Sequence, residues 1–145
     1  ILLSVPLFLI ALVVPGLDHR FGWSHVPLWL SLAALAVMIG AYLMFVLVMN
    51  QNRYASRVVE IQEGQKLIDT GLYSVVRHPM YLAALLMFLC TPPALGSWWG
   101  MLAVPPLIAV LAARIRSEEQ LLAKELEGYS EYARVTRRRL IPGVW

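Results

Sequence analysis

The fold is decided by residues 27–49, which read PLWLSLAALAVMIGAYLMFVLVM. These 23 residues carry no charged side chain. A helix rises about 1.5 Å per residue, so this stretch reaches about 34 Å and exceeds the roughly 30 Å hydrocarbon core of a bilayer. The stretch therefore predicts a transmembrane helix.

Three shorter apolar blocks surround this helix: residues 1–17 precede it, and residues 80–90 and 98–113 follow it. Residues 91–97 contain two prolines and a glycine, a composition typical of a turn. Because so short a connection joins neighbouring antiparallel helices, the last two blocks predict a tight helical hairpin. The sequence thus predicts an all-α polytopic membrane protein with about four transmembrane helices.

The composition of the whole chain agrees with this interpretation. Apolar residues make up 59% of the 145 residues and charged residues 14%, against roughly 45–50% and about 25% in soluble domains. With a mean hydropathy of +0.66, these values exclude a soluble globule, a disordered tail and a coiled coil. The single cysteine, Cys90, excludes an internal disulfide and a cysteine-based metal cluster, and we expect no metal site. The net charge of +3 is too small to indicate a nucleic-acid partner.

We expect one membrane domain over residues 1–145, in which residues 1–50 form two N-terminal spans. The chain begins at Ile1 inside an apolar block, which leaves room for a further segment upstream. No basic region precedes this block, so we do not expect a cleaved signal peptide.

Basic residues predict the orientation of the chain in the membrane. Of the twelve, Arg20 alone lies between the first two spans, four lie between the second and third, and seven follow the fourth. The positive-inside rule therefore places residues 50–79, the N-terminus and the C-terminal tail in the cytoplasm. The basic run 137–139 predicts a juxtamembrane patch that binds anionic lipid head groups. Four tryptophans suit the outer membrane interface: Trp23, Trp29, Trp98 and Trp99.

Two polar segments flank the hairpin, residues 60–81 before it and residues 114–141 after it. Because the hairpin returns the chain to the same face of the membrane, we expect the two segments to meet there. The first contains GLYSVVRHPMY, residues 71–81. The second segment directly follows Ala113. From that alanine to Tyr132 the chain reads ARIRSEEQLLAKELEGYSEY, which predicts a cytoplasmic amphipathic helix.

Each of these motifs has a purely structural interpretation. Gly71 permits a tight turn, Arg77 can anchor the chain at the membrane surface, and His78 can cap the third helix. Arg114 and Glu118 are four residues apart and share one helix face. On a solvated helix they would form a single ion pair worth under about 1 kcal/mol.

The order of the motifs also supports a functional interpretation. An Arg-His-Pro-x-Tyr turn, a two-helix hairpin, Arg-x-x-x-Glu-Glu-x-x-Leu, paired tyrosines and a basic, proline-ended tail follow one another over residues 60–142. This combination resembles the isoprenylcysteine carboxyl methyltransferases and their relatives, the phospholipid N-methyltransferases, which are membrane enzymes that use S-adenosylmethionine. The chain departs from the family pattern at residues 126–128, where it is one residue shorter before Tyr129 and Tyr132.

The resemblance implies an S-adenosylmethionine-dependent methyltransferase whose cofactor-binding and catalytic region is residues 51–145. It implies a catalytic pair, in which Arg114 orients the methyl acceptor and Glu118 contacts the cofactor. The acceptor would be lipophilic and enter from the bilayer, either a prenylcysteine-like carboxylate or a phospholipid or small lipophilic amine. The further cofactor contacts that the resemblance implies are Glu60, Gln65, Lys66, Leu67, Ile68, Tyr73, His78, Pro79, Met80 and Tyr81.

Elementary chemistry is compatible with such a pocket. Glu118 could accept hydrogen bonds from ribose hydroxyls, and backbone amides of residues 78–81 could donate to an anionic group from a helix N-terminus. Tyr73 and Tyr81 could supply stacking walls. The sequence has no glycine-rich strand-to-helix turn of the kind found in soluble Rossmann-type methyltransferases.

Two other functions stay open. Sterol reductases that use NADPH have a similar Arg-His-Pro turn, but they usually carry Asn where this chain has Met80, and they lack the Glu-Glu pair. A small membrane scaffold, in which the polar motifs only cap the hairpin, would need no cofactor. Binding of S-adenosylmethionine, of NADPH or of neither distinguishes the three functions.

Overall fold

The structure is a computed structural model that describes residues 4–52, 54 and 64–141. Within these ranges every regular element is a helix and no strand occurs, which confirms the all-α class. Two short 3₁₀ helices cover Gly71–Ser74 and Trp99–Ala103. The α-helices are α1 (Ser4–Phe21), α2 (Leu28–Gln51), α3 (Pro79–Ala94), α4 (Val104–Glu125) and α5 (Tyr129–Val135).

Two helical segments in the described part of the chain are long and apolar enough to cross a membrane. They are Leu28–Gln51, which is α2, and Trp99–Glu125, in which a 3₁₀ turn leads into α4. The apolar helix α3 is shorter, at 16 residues. Two of the four predicted spans therefore meet the length and composition that a membrane crossing requires, and the count of four stays a prediction.

Two helices extend beyond the apolar blocks. α1 continues past Leu17 to Phe21, and its last turn places Arg20 near the negative end of the helix dipole instead of in a loop. α3 continues through Pro92 and Pro93 to Ala94, so the turn predicted over residues 91–97 begins four residues later, at Leu95. Each proline lacks the N–H that would bond to the carbonyl four residues back, so the last turn of α3 loses helical hydrogen bonds and the helix ends at Ala94.

The amphipathic helix predicted over residues 113–132 is interrupted. α4 ends at Glu125, and Gly128 adopts a left-handed conformation with φ of 80° before α5 begins. Side chains other than glycine rarely adopt this conformation. The glycine therefore ends one helix and sets a new direction for the next, and the two tyrosines lie on the separate helix α5.

The chain forms two compact units. The first unit comprises Ile1–Leu43 and Ala83–Leu111. Asp18 is fully buried in this unit, and its carboxylate accepts hydrogen bonds from the Ser24 amide at 2.6 Å, the Ser24 hydroxyl at 2.5 Å and the Ser97 hydroxyl. The Ser24 hydroxyl in turn accepts from the Trp98 amide at 3.0 Å. These contacts tie the loop after α1 to the loop after α3.

The second unit comprises Met44–Leu82 and Ala112–Trp145. Its Gly71 has a φ of 58°, and a Cβ atom there would lie 2.1 Å from the Gln51 side-chain nitrogen. That nitrogen donates to the Thr70 carbonyl at 2.6 Å, and the Gln51 oxygen accepts from the Leu72 amide at 3.4 Å. The tight turn predicted at Gly71 is thus confirmed, and the end of α2 holds it in place.

Candidate functional site

The two polar segments meet in the second unit, as the hairpin predicts. Arg77 and Tyr81 of the first segment contact Glu119 and Glu118 of the second. Between the segments lies a cavity that collects most of the residues implied by the family resemblance. Nine of them line it: Gln65, Lys66, Leu67, Ile68, Tyr73, His78, Met80, Tyr81 and Glu118.

Three other residues of the predicted site lie elsewhere. Pro79 is fully buried as the first residue of α3 and does not line the cavity. Arg114 also lies outside the cavity lining, and its Nε donates to the Tyr81 hydroxyl at 2.8 Å. Glu60 is outside the described residues.

The cavity also has walls that the sequence analysis did not assign. Two of these walls are Leu121 and Leu122 on α4, which lie three and four residues after Glu118. This helical spacing is a signal that was present in the sequence. Nothing in the sequence linked the end of α2 to the site, because that proximity comes from the tertiary fold. The unassigned lining residues, apart from Arg77, are Asn52, Tyr54, Leu121, Leu122, Leu126, Tyr129 and Tyr132.

Tyr81 connects the two predicted catalytic residues. Its hydroxyl donates to a Glu118 carboxylate oxygen at 2.5 Å and accepts from Arg114 Nε. The Arg114 guanidinium also lies 5.8 Å from the centre of the Tyr81 ring. Arg114 and Glu118 therefore share a helix face, as predicted. The structural interpretation expected an ion pair between them, but the Tyr81 hydroxyl lies between the two side chains.

Glu119 is the centre of a charged cluster beside the cavity. One carboxylate oxygen lies 2.6 Å from an Arg77 terminal nitrogen and 3.2 Å from His78 Nε2, and the other accepts from Arg139 Nε at 2.7 Å. The Glu119 side chain is 12% exposed. Both oxygens are thus engaged by cationic or hydrogen-bonding side chains, and Glu119 has little capacity left to accept a proton.

Arg77 is a packing residue, so its interpretation as a membrane-surface anchor is wrong. Its side chain is 9% exposed. One terminal nitrogen donates to three carbonyl oxygens at the end of α5, those of Ala133, Thr136 and Arg137, at 3.0–3.3 Å. Such a contact satisfies carbonyl groups that a helix C-terminus leaves without intrahelical partners.

The C-terminal tail binds the same turn through its backbone. The Arg77 amide donates to the Arg138 carbonyl at 2.9 Å, and the His78 amide donates to the Arg139 carbonyl at 3.0 Å. The His78 amide is therefore already engaged, which corrects the expectation for this one amide of residues 78–81. The tail holds in place the turn that carries His78 into the cavity wall.

Tyrosines form a second set of contacts in the cavity wall. The Tyr73 hydroxyl accepts from the Asn52 side chain at 2.8 Å, and the Tyr132 hydroxyl donates to the Tyr73 carbonyl at 2.7 Å. Burial raises the pKa of Tyr73, and the nearby charge of Glu118 raises it further. Burial also raises the pKa of Tyr132 to about 12. Both phenols are therefore neutral at physiological pH.

Tyr129 differs from these neighbours. Its ring packs edge-on to Tyr132 with centroids 5.9 Å apart, and the residue is 5% exposed. Its hydroxyl is the single buried side-chain polar atom in the described ranges that has no hydrogen-bond partner. Burial raises the pKa of Tyr129, so this hydroxyl keeps its proton. Within residues 4–52, 54 and 64–141, no three metal-ligating side chains group together.

Comparison with known proteins gives two matches. Residues 28–128, more than half of the chain, match the family model of the phospholipid methyltransferases. The chain is also 28% identical over 134 residues to the cobalt-zinc-cadmium resistance protein CzcN of Cupriavidus metallidurans. That alignment covers 89% of this chain and 56% of the relative, so the chain spans little more than half of the relative's length.

Proposed function

The chain belongs to the phospholipid methyltransferase family, and on that premise we propose that it transfers a methyl group from S-adenosylmethionine to a lipophilic acceptor. The reaction takes place where the membrane meets the cytoplasm. One observation carries the proposal: nine residues between Gln65 and Tyr81 line one cavity together with Glu118, which lies far from them in the sequence. A membrane scaffold would not need a cavity with this lining.

The residues of the cavity fit the chemistry of the cofactor. S-adenosylmethionine has a ribose diol, an amino-acid zwitterion and an adenine. The Glu118 carboxylate has acceptor capacity for the diol beyond its bond to Tyr81, and Gln65 and Lys66 supply donors for a carboxylate. Tyr73 and the leucines of α4 supply aromatic and apolar walls for the base. The hydroxyl of Tyr129 has no hydrogen-bond partner within the described residues, as expected of a group that bonds to a polar ligand in the pocket.

The protein contributes position and exclusion of water. The bound cofactor supplies an electrophilic methyl group, which is transferred by in-line displacement. Alignment of the reacting groups and a dry site therefore contribute more than an acid or a base. The Glu119 cluster holds the turn of Arg77 and His78, and the Tyr81 hydroxyl holds Glu118, so contacts within the protein position these parts of the cavity wall.

The chemistry of the acceptor decides which side chains act on it. A carboxylate acceptor needs no base, and Arg114 would orient it from its place beside Tyr81. An amine acceptor must lose a proton before attack. Because Glu119 is engaged by Arg77, His78 and Arg139, Glu118 is the better proton acceptor for such a substrate.

The role of Arg114 can be tested separately from cofactor binding. Replacing Arg114 by Ala should abolish methylation of a prenylcysteine carboxylate and leave the affinity for S-adenosylhomocysteine within about threefold of the parent, since the residue lies outside the cavity lining. Kinetics at saturating cofactor and calorimetric titration measure the two effects. A loss of cofactor affinity with unchanged turnover at saturation would contradict this role.

The proposed function is tested by calorimetric titration of the detergent-purified protein with S-adenosylhomocysteine. We expect binding by the parent and at least tenfold weaker binding, about 1.4 kcal/mol, by Glu118→Ala. The matched control is Glu131→Ala. The Glu131 side chain is 73% exposed, and within the described residues its carboxylate accepts a hydrogen bond from Arg134 alone. A folded parent that binds NADPH instead, or neither compound, would overturn the proposal.

A further inference from the structure

The hydroxyl of Tyr129 has no structural explanation within the described residues. Tyr129 is 5% exposed and its hydroxyl has no hydrogen-bond partner there. A buried polar group without a partner lowers the stability of the folded state, whereas phenylalanine would fill nearly the same space without that cost. Packing of the side chain therefore does not explain why residue 129 has a hydroxyl group.

The other tyrosines of the cavity wall provide an internal comparison. The hydroxyls of Tyr54 and Tyr132 donate to backbone carbonyls, those of Gly64 at 3.1 Å and Tyr73 at 2.7 Å. The remaining two, Tyr73 and Tyr81, bond to the side chains of Asn52 and Glu118. Four of the five tyrosines that line the cavity are thus satisfied by the protein itself.

We propose that the Tyr129 hydroxyl is a ligand-binding group, which hydrogen-bonds a polar group of the cofactor held in the cavity. The inference rests on the proposed function, since it takes the cofactor to be S-adenosylmethionine. As a neutral phenol, Tyr129 can both donate and accept one hydrogen bond, so it suits a carboxylate, a hydroxyl or a ring nitrogen of that ligand.

A second hollow offers another partner for the same hydroxyl. Tyr129 also borders a hollow lined by Arg77, Arg116, Glu119 and Arg139. There the carboxylate of Glu119 is already paired with Arg77 and Arg139 at 2.6 and 2.7 Å, so both of its oxygens are engaged. The cavity carries the open acceptor capacity of Glu118 and the apolar walls of α4, and this favours the cofactor as the partner. Solvation of the hydroxyl from the hollow is the alternative that the test must exclude.

The test compares Tyr129→Phe with Tyr132→Phe in the full chain. Each change removes one buried hydroxyl of α5. In Tyr129→Phe we expect the affinity for S-adenosylhomocysteine to fall about tenfold, while the thermal midpoint of the ligand-free protein stays unchanged or rises. In Tyr132→Phe we expect a lower midpoint of the ligand-free protein, because its hydroxyl bonds to the Tyr73 carbonyl. The control for affinity is Glu131→Ala on the same helix, which lies outside the cavity lining and should bind as the parent does. A second probe, 5′-methylthioadenosine, lacks the amino-acid half of the ligand and locates the contact: a loss with both probes assigns it to the nucleoside half, and a loss with S-adenosylhomocysteine alone to the amino-acid half.

The outcomes separate this inference from the proposed function. If the parent and Tyr129→Phe bind S-adenosylhomocysteine equally, the hydroxyl is not a ligand contact and the proposed function stands. If Tyr129→Phe fails to fold or melts at a lower temperature without ligand, the hydroxyl is structural and the inference is overturned. If the folded parent does not bind S-adenosylhomocysteine, the proposed function fails and the inference fails with it.

Discussion

The two compact units bury polar side chains in different ways. In the first unit, Asp18 accepts from the amide and hydroxyl of Ser24 and from the hydroxyl of Ser97, and all the donors lie in the loops that it joins. In the second unit, the carboxylate of Glu119 is likewise satisfied by protein side chains. Glu118 and Tyr129 instead line a cavity and can each form further hydrogen bonds. A closed set of hydrogen bonds holds a fold together, whereas an incomplete one beside a cavity is ready to hold a ligand.

The difference separates two adjacent glutamates that sequence alone treats as a pair. Glu119 points to Arg77, His78 and Arg139, while Glu118 meets Tyr81 and lines the cavity. We therefore assign Glu119 to the stability of the second unit and Glu118 to its ligand. Asp18 belongs with Glu119, although it lies in the other unit.

The largest effect should come from breaking the Glu119 cluster. Arg77→Ala leaves Glu119 with one fewer cation and leaves three carbonyls of the α5 end without their donor. Removing one partner of a buried ion pair costs about 3–5 kcal/mol. We expect a loss of this size in the free energy of unfolding, measured by denaturant titration of the detergent-solubilised protein.

Arg134→Ala is the matched control for this experiment. Arg134 pairs with Glu131 at 3.4 Å, and both side chains are mostly exposed, at 80% and 73%. Exposed pairs contribute about 0–1 kcal/mol, so this variant should unfold almost as the parent does. Equal losses in Arg77→Ala and Arg134→Ala would show that the Glu119 cluster is not a structural centre.

A smaller effect of the same kind is expected at Asp18. In Asp18→Asn one acceptor oxygen becomes a donor facing the hydroxyls of Ser24 and Ser97, so the loops of the first unit lose part of their connection. The thermal midpoint should fall while the affinity for S-adenosylhomocysteine stays within about twofold. A variant that keeps its midpoint and loses ligand affinity would place Asp18 with Glu118 and remove the contrast between the units.

The helices and the meeting of the polar segments could be predicted because they depend on local patterns. The uncharged stretch of α2 and the proline at the start of α3 identify these helices, and the short connection after α3 makes the chain return. The helix ends could not be predicted in the same way. α1 continues past Leu17, where its apolar block ends, and the next residue, Asp18, bonds to Ser24 and to Ser97, which is 79 residues away.

The candidate site was predictable to a similar extent. The family resemblance named nine residues that line the cavity, and eight of them lie in one stretch of the sequence, from Gln65 to Tyr81. It did not name Asn52 or Tyr129. Asn52 reaches the site through the Tyr73 hydroxyl, and Tyr129 enters it because Gly128 redirects the chain after α4. Both depend on backbone geometry that no residue pattern records.

The smallest predicted change tests a turn on which both the fold and the cavity depend. Gly71 has a positive φ, and its replacement by alanine costs roughly 1–2 kcal/mol from the left-handed conformation alone. The new Cβ would also displace the Gln51 side chain from the Thr70 carbonyl. Because the same turn carries Tyr73 into the cavity wall, Gly71→Ala should lower both the unfolding free energy and the affinity for S-adenosylhomocysteine. Asp18→Asn and Glu118→Ala should each change mainly one of the two.

The contributions of the clash and the backbone conformation can be separated with Gln51→Ala. In the parent this change removes only the two hydrogen bonds to the turn. In the Gly71→Ala background it also relieves the clash. The loss of unfolding free energy in the double variant should therefore be smaller than the sum of the losses in the two single variants. Strict additivity in denaturant titration would mean that the clash contributes nothing and that the left-handed conformation is the whole cost. In that case the two hydrogen bonds of Gln51 would survive in Gly71→Ala, and the end of α2 would hold the turn equally in both backgrounds.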